Sequence, residues 1–367
     1  PIHYHTALIK FLTKKGIKLK VLFRSNMATK KFYDPAFNKK ISFDLNVLNG
    51  IEYEYLNHVG PNKVGSVLPL TTEFIAKIFN KKTDIIWLHG IKNWYNLLLI
   101  IIAKFYKKKV FVRDEVYHQS RKRNFINKFF NYFFYLIIDY FIDVYIAIGS
   151  QNKKYYLDHR IDKNKIILMP YVVDNNFFLN PKVKNNKKIK FLFAAKLIKR
   201  KGPDLLLNAL KILKNNHNFN NNCDFLIVGN GNMKEQLIKF AKFNNLKNVK
   251  FENFRNQKEL AKIYKSSDVF IMSSRREPWG LTVNEAMASG NAIISSDNVG
   301  SSYDLIKTGK NGYKFKNNNA KDLARKIIKI YINKKKLKRY KLESINIISK
   351  WDFNACYFGL NKSKLYK

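Results

Sequence analysis

Two glutamates, Glu277 and Glu285, stand with seven residues between them, and Gly280-Leu281 lies in the interval. The stretch follows an apolar run over 269–272, passes through Pro278-Trp279-Gly280 and opens a helical pattern near Leu281. That spacing predicts one carboxylate in a loop and the other about one turn inside a helix. Both then face one pocket, where carboxylates accept hydrogen bonds from vicinal hydroxyls. Unpaired N–H groups at a helix start suit a phosphate, and Gly280 lets the backbone approach such an anion. The alternative is that Glu285 caps or solvates an ordinary helix and Glu277 belongs to a surface turn.

Other candidates lie nearer the start of the chain. His89 follows an apolar run over 85–88 and precedes Gly90, a position on the cleft side of a sheet where it could bond a hydroxyl or orient an acceptor. A structural histidine held by loop carbonyls is the alternative. Arg113 and Glu115, in the triplet Arg113-Asp114-Glu115, are further cleft candidates, and an internal ion pair is equally compatible with them. His5 is a third, close to the chain start.

The elements that would position these residues alternate. Strands are expected over 19–23, 85–88, 110–112 and 144–148, with helices over 96–105 and 124–138 between them. A Pro-, Asn- and Lys-rich stretch over 170–190 reads as a linker. The alternation then restarts with strands over 191–194, 225–228, 249–251, 269–272 and 292–295. Two doubly wound α/β domains with parallel sheets are the economical account.

The chain of 367 residues carries 69 Lys plus Arg against 26 Asp plus Glu, a net charge of +43, with 46% hydrophobic residues. So much apolar material excludes a disordered chain. The charge attracts polyanions, yet Lys, Asn, Ile, Phe and Tyr abound together, which is a compositional bias before it is a partner signal. Cys223 and Cys356 form neither a disulfide framework nor a zinc spacing, which suits a reducing cytoplasm. No apolar run reaches the length of a membrane span. Pro1 is neither an initiator Met nor part of a secretory signal, so the numbering is expected to begin inside a longer product, beyond a first strand.

Glu277 through Glu285, followed by Ala286-Met287-Ala288-Ser289-Gly290, resembles the E-x7-E signature of the family 4 retaining glycosyltransferases (glycosyl transferases group 1). Ala195-Lys196-Leu197, Lys199-Arg200-Lys201-Gly202, Val228-Gly229-Asn230-Gly231, Ser296-Asp297-Asn298 and Asn311-Gly312 follow that family's order of landmarks. The resemblance implies a GT-B fold, two Rossmann-like domains facing a cleft: an acceptor domain over 1–180, a nucleotide-sugar domain over 187–345, and a C-terminal helix over 346–367 packing back on the first. It assigns Glu277 and His89 to catalysis. Lys196, Lys201, Gly229, Gly231, Gly280, Leu281, Thr282 and Glu285 fall on the donor side, with the two lysines on the diphosphate. Lys196 stands where many relatives have Arg, a point charge in place of a fork.

The implied activity is retaining transfer of a sugar from a nucleotide diphosphate to an acceptor hydroxyl, in cell-surface polysaccharide, lipopolysaccharide or glycolipid synthesis, without metal or other cofactor. A nucleotide-sugar epimerase or phosphorylase of the same fold, and a basic nucleic-acid binder, are the competing readings. The expected location is cytoplasmic, peripheral at the inner face of the membrane. Lys104, Lys107, Lys108 and Lys109 with Arg121, Lys122 and Arg123 and the aromatics over 125–134 could form a basic, aromatic surface toward anionic lipid. Core packing is expected for most of those aromatics.

Overall fold

The protein was analysed as a computed structural model that describes residues 3–26, 29, 32–35, 39–41, 48–56, 73–79, 81–120, 124–180 and 187–363. Arg121, Lys122, Arg123 and residues 181–186 of the expected linker lie outside the described residues.

The first half begins with a helix, His3–Lys14, and the strands β1 (Lys20–Phe23), β2 (Phe32–Asp34), β3 (Lys39–Ile41) and β4 (Glu52–Tyr55). β1 pairs with β4 in parallel, and β2 with β3 antiparallel. Four parallel strands follow in sequential order: β5 (Ile85–His89), β6 (Lys109–Arg113), β7 (Val144–Ala147) and β8 (Ile166–Leu168). The helices Trp94–Phe105 and Phe125–Ile138 connect β5 to β6 and β6 to β7. Right-handed crossovers put both on one face of this sheet.

The second half is a six-stranded parallel sheet built from β9 (Ile189–Ala194), β10 (Cys223–Val228), β11 (Val249–Glu252), β12 (Val269–Met272), β13 (Ala292–Ser296) and β14 (Gly312–Phe315). Their order in space is β11-β10-β9-β12-β13-β14, so the winding reverses between β9 and β12. Helices cover both faces, which is why the strands are continuous apolar runs. Along β9 the side chains alternate: Phe191 and Phe193 enter one core with Leu206 and Ile327, while Leu192 enters the opposite core with Phe270 and Met287.

The stretch expected as a linker is partly structural. Tyr171, Val172, Val173 and Phe178 are buried, and Asp174 caps a short helix, Asn175–Phe178. Asn175 Nδ2 donates to the carbonyls of Ile348 (3.0 Å) and Trp351 (3.2 Å). The boundary placed at 345 falls inside a helix, Leu337–Ser349. Beyond it the helix Phe353–Asn361 lies against the first sheet: Cys356 Sγ donates to the Pro170 carbonyl at 3.1 Å, and a Cβ on Gly359 would meet the Leu168 carbonyl at 2.0 Å. β2, β3, β4, β8 and β14 had no counterpart among the expected strands.

One buried ion pair ties the helix Leu337–Ser349 to the second sheet. Lys341 Nζ meets Asp268 Oδ1 at 2.7 Å, with side-chain exposures of 2% and 0%. Asp268 Oδ2 also accepts from the backbone of Lys190 at 3.0 Å, linking the starts of β9 and β12. Lys341→Met would leave that carboxylate buried without its cation. The expected loss is about 3–5 kcal/mol in urea unfolding, and a change within error would show that Asp268 is carried by its backbone partners alone.

Candidate active site at the sheet reversal

Where a doubly wound sheet reverses, the loops after the two central strands diverge and leave a crevice. Here the loop after β9 carries Lys196, Lys199, Arg200 and Lys201, and the loop after β12 carries Arg275, Arg276 and Glu277. Arg275 makes a two-pronged contact with Asp204, at 2.7 and 2.9 Å, and Ser273 Oγ donates to the Gly202 carbonyl at 2.8 Å. Lys199 adds a 2.6 Å contact to Asp204, and these cations hold its carboxyl below the usual range despite partial burial. The two loops are therefore locked together, and Glu277 is presented beside the cations.

Glu277 Oε2 accepts from Lys201 Nζ and, at 3.2 Å, from Arg200 NH1. Its backbone is fixed as well: its N–H bonds the Asn298 carbonyl at 3.2 Å, and its carbonyl accepts from Gly300 at 3.0 Å. Burial lowers the pKa of Lys201, Glu277 opposes that effect, and Arg200 and Lys196 add to it. Lys196 points elsewhere. Its Nζ pairs with Asp34 Oδ2 at 2.8 Å, and Asp34 belongs to β2 in the other half. One of the two lysines expected on the diphosphate thus bridges the cleft.

Gly280, at φ 93°, occupies the left-handed region just before the helix Leu281–Ala288. A Cβ there would also crowd Val299 Cγ1 at 3.1 Å. Leu281 and Thr282 open the helix, so their N–H groups have no intrahelical carbonyl. Glu285 differs from expectation. It is 4% exposed, and its Oε2 accepts from Tyr264 at 3.1 Å rather than opening freely on the crevice. Burial pushes its pKa up to about 7, with the tyrosine bond opposing. Gly229 and Gly231 press against backbone, since a Cβ would meet the carbonyls of Ala195 at 2.0 Å and Leu197 at 2.4 Å. They shape the crevice by letting two loops touch.

Across the cleft, the first half gathers His5, His89, Arg113 and Glu115 around Tyr171. Tyr171 donates to Glu115 Oε1 at 2.6 Å, and its hydroxyl lies 3.2 Å from His5 Nε2. The rings of His5 and His89 are 4.6 Å apart. Arg113, 3% exposed, lies over the Tyr171 ring at 4.8 Å and donates to the Pro170 carbonyl at 3.3 Å. The cleft walls and Arg113 lower the His89 pKa. That shift leaves His89 neutral at pH 7. The same walls raise the Glu115 pKa, with Glu277 among the smaller contributors, which places that carboxylate within electrostatic reach across the cleft.

Known proteins can now be set beside this geometry. Residues 174–346 match the family described as glycosyl transferases group 1. Over that stretch, just under half of the chain, the sequence is similar to the group 1 glycosyl transferases. A curated relative, an uncharacterized glycosyltransferase of Methanocaldococcus jannaschii, is 24% identical over 238 residues, 60% of this chain, and the chain spans 65% of that protein's length. A glycosyltransferase crystal structure from Rickettsia africae superimposes with a TM-score of 0.71 at 18% identity, covering 98% of this chain and 93% of that one. HepE from Anabaena, solved with UDP and glucose, superimposes with a TM-score of 0.64 at 15% identity, covering 86% of each chain. The two facing α/β halves have the GT-B arrangement.

The matched region brings Glu277, Lys201, Gly280, Leu281 and Thr282 to one crevice, whereas Lys196 turns to Asp34 and Glu285 is buried against Tyr264. Sequence reasoning missed Arg200, although it stands in the same basic run as Lys201. Asp34 and Tyr171 were missed too, since nothing local marks a residue whose partners lie 56 to 166 positions away.

Glu285 sets a pH prediction. A carboxyl raised from 4.5 to about 7 keeps its proton in the folded state where the unfolded chain releases it, so stability falls as pH rises between those values. Glu285→Gln is expected to flatten that slope in urea titrations from pH 4.5 to 7.5. An unchanged slope would mean that Glu285 is already ionised in the fold.

Proposed function

We propose that this chain is a retaining glycosyltransferase of family 4 that moves a sugar from a nucleotide diphosphate to an acceptor hydroxyl, in the building of cell-surface polysaccharide or glycolipid. The observation that carries the reading is Glu277 held by Lys201 and Arg200 at the sheet reversal of a region similar to the group 1 transferases. The neighbour solved with UDP and glucose supports a nucleotide-sugar donor.

In this reading the diphosphate enters the crevice against Lys201, Arg200 and the helix start at Leu281, where fixed positive ends meet charge that develops on the leaving group. Glu277, released from its cations, accepts hydrogen bonds from the sugar hydroxyls and holds the ring. The acceptor hydroxyl comes from the His5, His89 and Tyr171 side. As the anomeric C–O bond to phosphate breaks, the acceptor oxygen bonds the same face, and its proton passes to the departing phosphate oxygen. Glu115, the first-half carboxylate on the cleft wall, is engaged by the Tyr171 hydroxyl at 2.6 Å, which favours this front-face course over a covalent intermediate. Glu115 supports the acceptor side through Tyr171.

Donor binding is tested by melting temperature in a panel of UDP-, GDP- and ADP-sugars, one of which should raise it. Glu277→Gln is expected to keep the wild-type melting temperature and lower kcat by roughly a hundredfold or more. Wild-type turnover in that variant would remove Glu277 from the mechanism.

The cationic leaving-group site also predicts metal independence. Turnover should persist in EDTA; loss in EDTA with recovery on Mn²⁺ or Mg²⁺ would overturn the role given to Lys201 and Arg200.

A further inference from the structure

The aromatics over 125–134 were expected mostly in the core, and the structure reverses this. In the helix Phe125–Ile138 only Asn131, Tyr135 and Ile138 are buried. Phe125 is 82% exposed, Phe130 66% and Ile137 68%, and Ile126, Phe129 and Phe133 share the outward face. These positions recur at helical spacing, so they form one stripe along the helix. The neighbouring helix Trp94–Phe105 adds Trp94, Ile101 and Phe105, and Lys104 Nζ lies 5.1 Å over the Tyr140 ring to join the two. More than half of the exposed large apolar side chains among the described residues fall between 94 and 140. Scattered exposure is ordinary, whereas a continuous apolar patch marks a surface that is covered in use.

The charges around the patch select what covers it. Neither helix contains an acidic residue, and Lys104, Lys107 and Lys128 are exposed at its rim. The carboxylate at its end, Asp139, is paired with Lys165 at 3.1 Å. Two copies of a chain carrying +43 would bring like charges together if they met through this face. An anionic lipid surface answers both features: headgroups meet the lysines, and the aromatic stripe enters the headgroup and acyl boundary while the helix lies in the membrane plane.

We propose that the outward face of the helices Phe125–Ile138 and Trp94–Phe105 docks the protein on an anionic bilayer. Both helices start beside the carboxyl ends of the strands, Trp94 shortly after His89, so docking brings the cleft mouth to the lipid surface. The docking does not depend on the transferase reading. Its use for a lipid-linked acceptor rests on that reading.

The test is flotation of the full chain without nucleotide, on phosphatidylcholine vesicles with and without about a third phosphatidylglycerol. Flotation is expected with the anionic vesicles and at most weakly with the neutral ones. Phe125→Ser/Phe130→Ser/Ile137→Ser is expected to keep the melting temperature and lose roughly tenfold or more in vesicle affinity at moderate salt. Phe243→Ser, at a site 90% exposed on the other half, should float like wild type. If the triple variant melts early, Lys104→Gln/Lys128→Gln replaces it, with weaker flotation expected from an intact fold. Absence of flotation would overturn the proposal, as would flotation unchanged by the triple variant, which would assign binding to diffuse charge. A dimer in sedimentation velocity that the triple variant abolishes, without vesicle binding, would give the face to a second copy and overturn it equally.

Discussion

The pairing of β9 with β12 is short, and the site depends on it. β9 runs beside β10 for six residues, from Ile189 to Ala194, but meets β12 only at Phe191 and Leu192. Past those two positions the strands part, because the chain winds away from the centre in opposite directions on either side. The backbone groups freed there must be satisfied by the loops themselves, and Ser273 on Gly202 and Arg275 on the Lys199 and Arg200 region do so. Those bonds are what hold Lys201 and Glu277 at contact distance. A longer ladder would close the crevice, and a shorter one would leave two loops without a common frame.

The second half does not hold this arrangement alone. Trp279, next but one to Glu277, is buried and donates from its indole to Asn284 Oδ1 at 3.0 Å, while Asn284 Nδ2 donates to the Tyr171 carbonyl at 2.9 Å. Tyr171 is the residue whose hydroxyl meets Glu115 and His5. One chain of hydrogen bonds therefore runs from the loop of Glu277 through the helix Leu281–Ala288 to the residues on the opposite wall. Trp279 also lies face to face with Trp351 at 5.3 Å and against Gly149, where a side chain would meet the indole at 2.3 Å. Tyr117 on the Asn298 carbonyl at 2.6 Å and the Ser150 N–H on Asp304 at 3.0 Å complete the seam. The relative position of the halves is thus tied to the same loop that carries Glu277.

How much of this was legible in the sequence follows from the range of each interaction. Glu277, Lys201, Gly280 and His89 could be placed because a loop after a parallel strand faces the ligand whatever its neighbours are, and strand periodicity survives in a single sequence. The burial of Glu285 was not legible, since the residue that covers it, Tyr264, arrives from another helix. Lys196 shows the same limit: its spacing matches a diphosphate contact, yet its cation reaches Asp34 on β2. The exposed stripe of Phe125–Ile138 has the helical period of a core helix. Only the packing of the helix on the sheet shows that Asn131, Tyr135 and Ile138, rather than the phenylalanines, are the inward face. Periodicity reports that a helix has two faces, and a polar residue on the buried one, Asn131 bonded to Tyr155 and His159, inverted the usual assignment.

The net charge of +43 reads differently at the site than over the whole chain. Lys196, Arg200 and Lys201 are met there by Asp34 and Glu277, so much of the positive charge of the crevice is already paired before any anion arrives. A diphosphate would compete with two carboxylates that already occupy the cations, and binding becomes an exchange of partners rather than simple attraction. Such an exchange suits transfer. In the proposed transfer the carboxylate displaced by the phosphates is the one assigned to the sugar hydroxyls, so the charge that would admit the leaving group would also free the residue that would hold the group being transferred. Lys196 and Asp34 belong to different halves, and the same exchange would release one contact across the cleft as the donor settles. The electrostatics of the crevice and the freedom of the two halves are in this way one property, set by which anion sits on three cations.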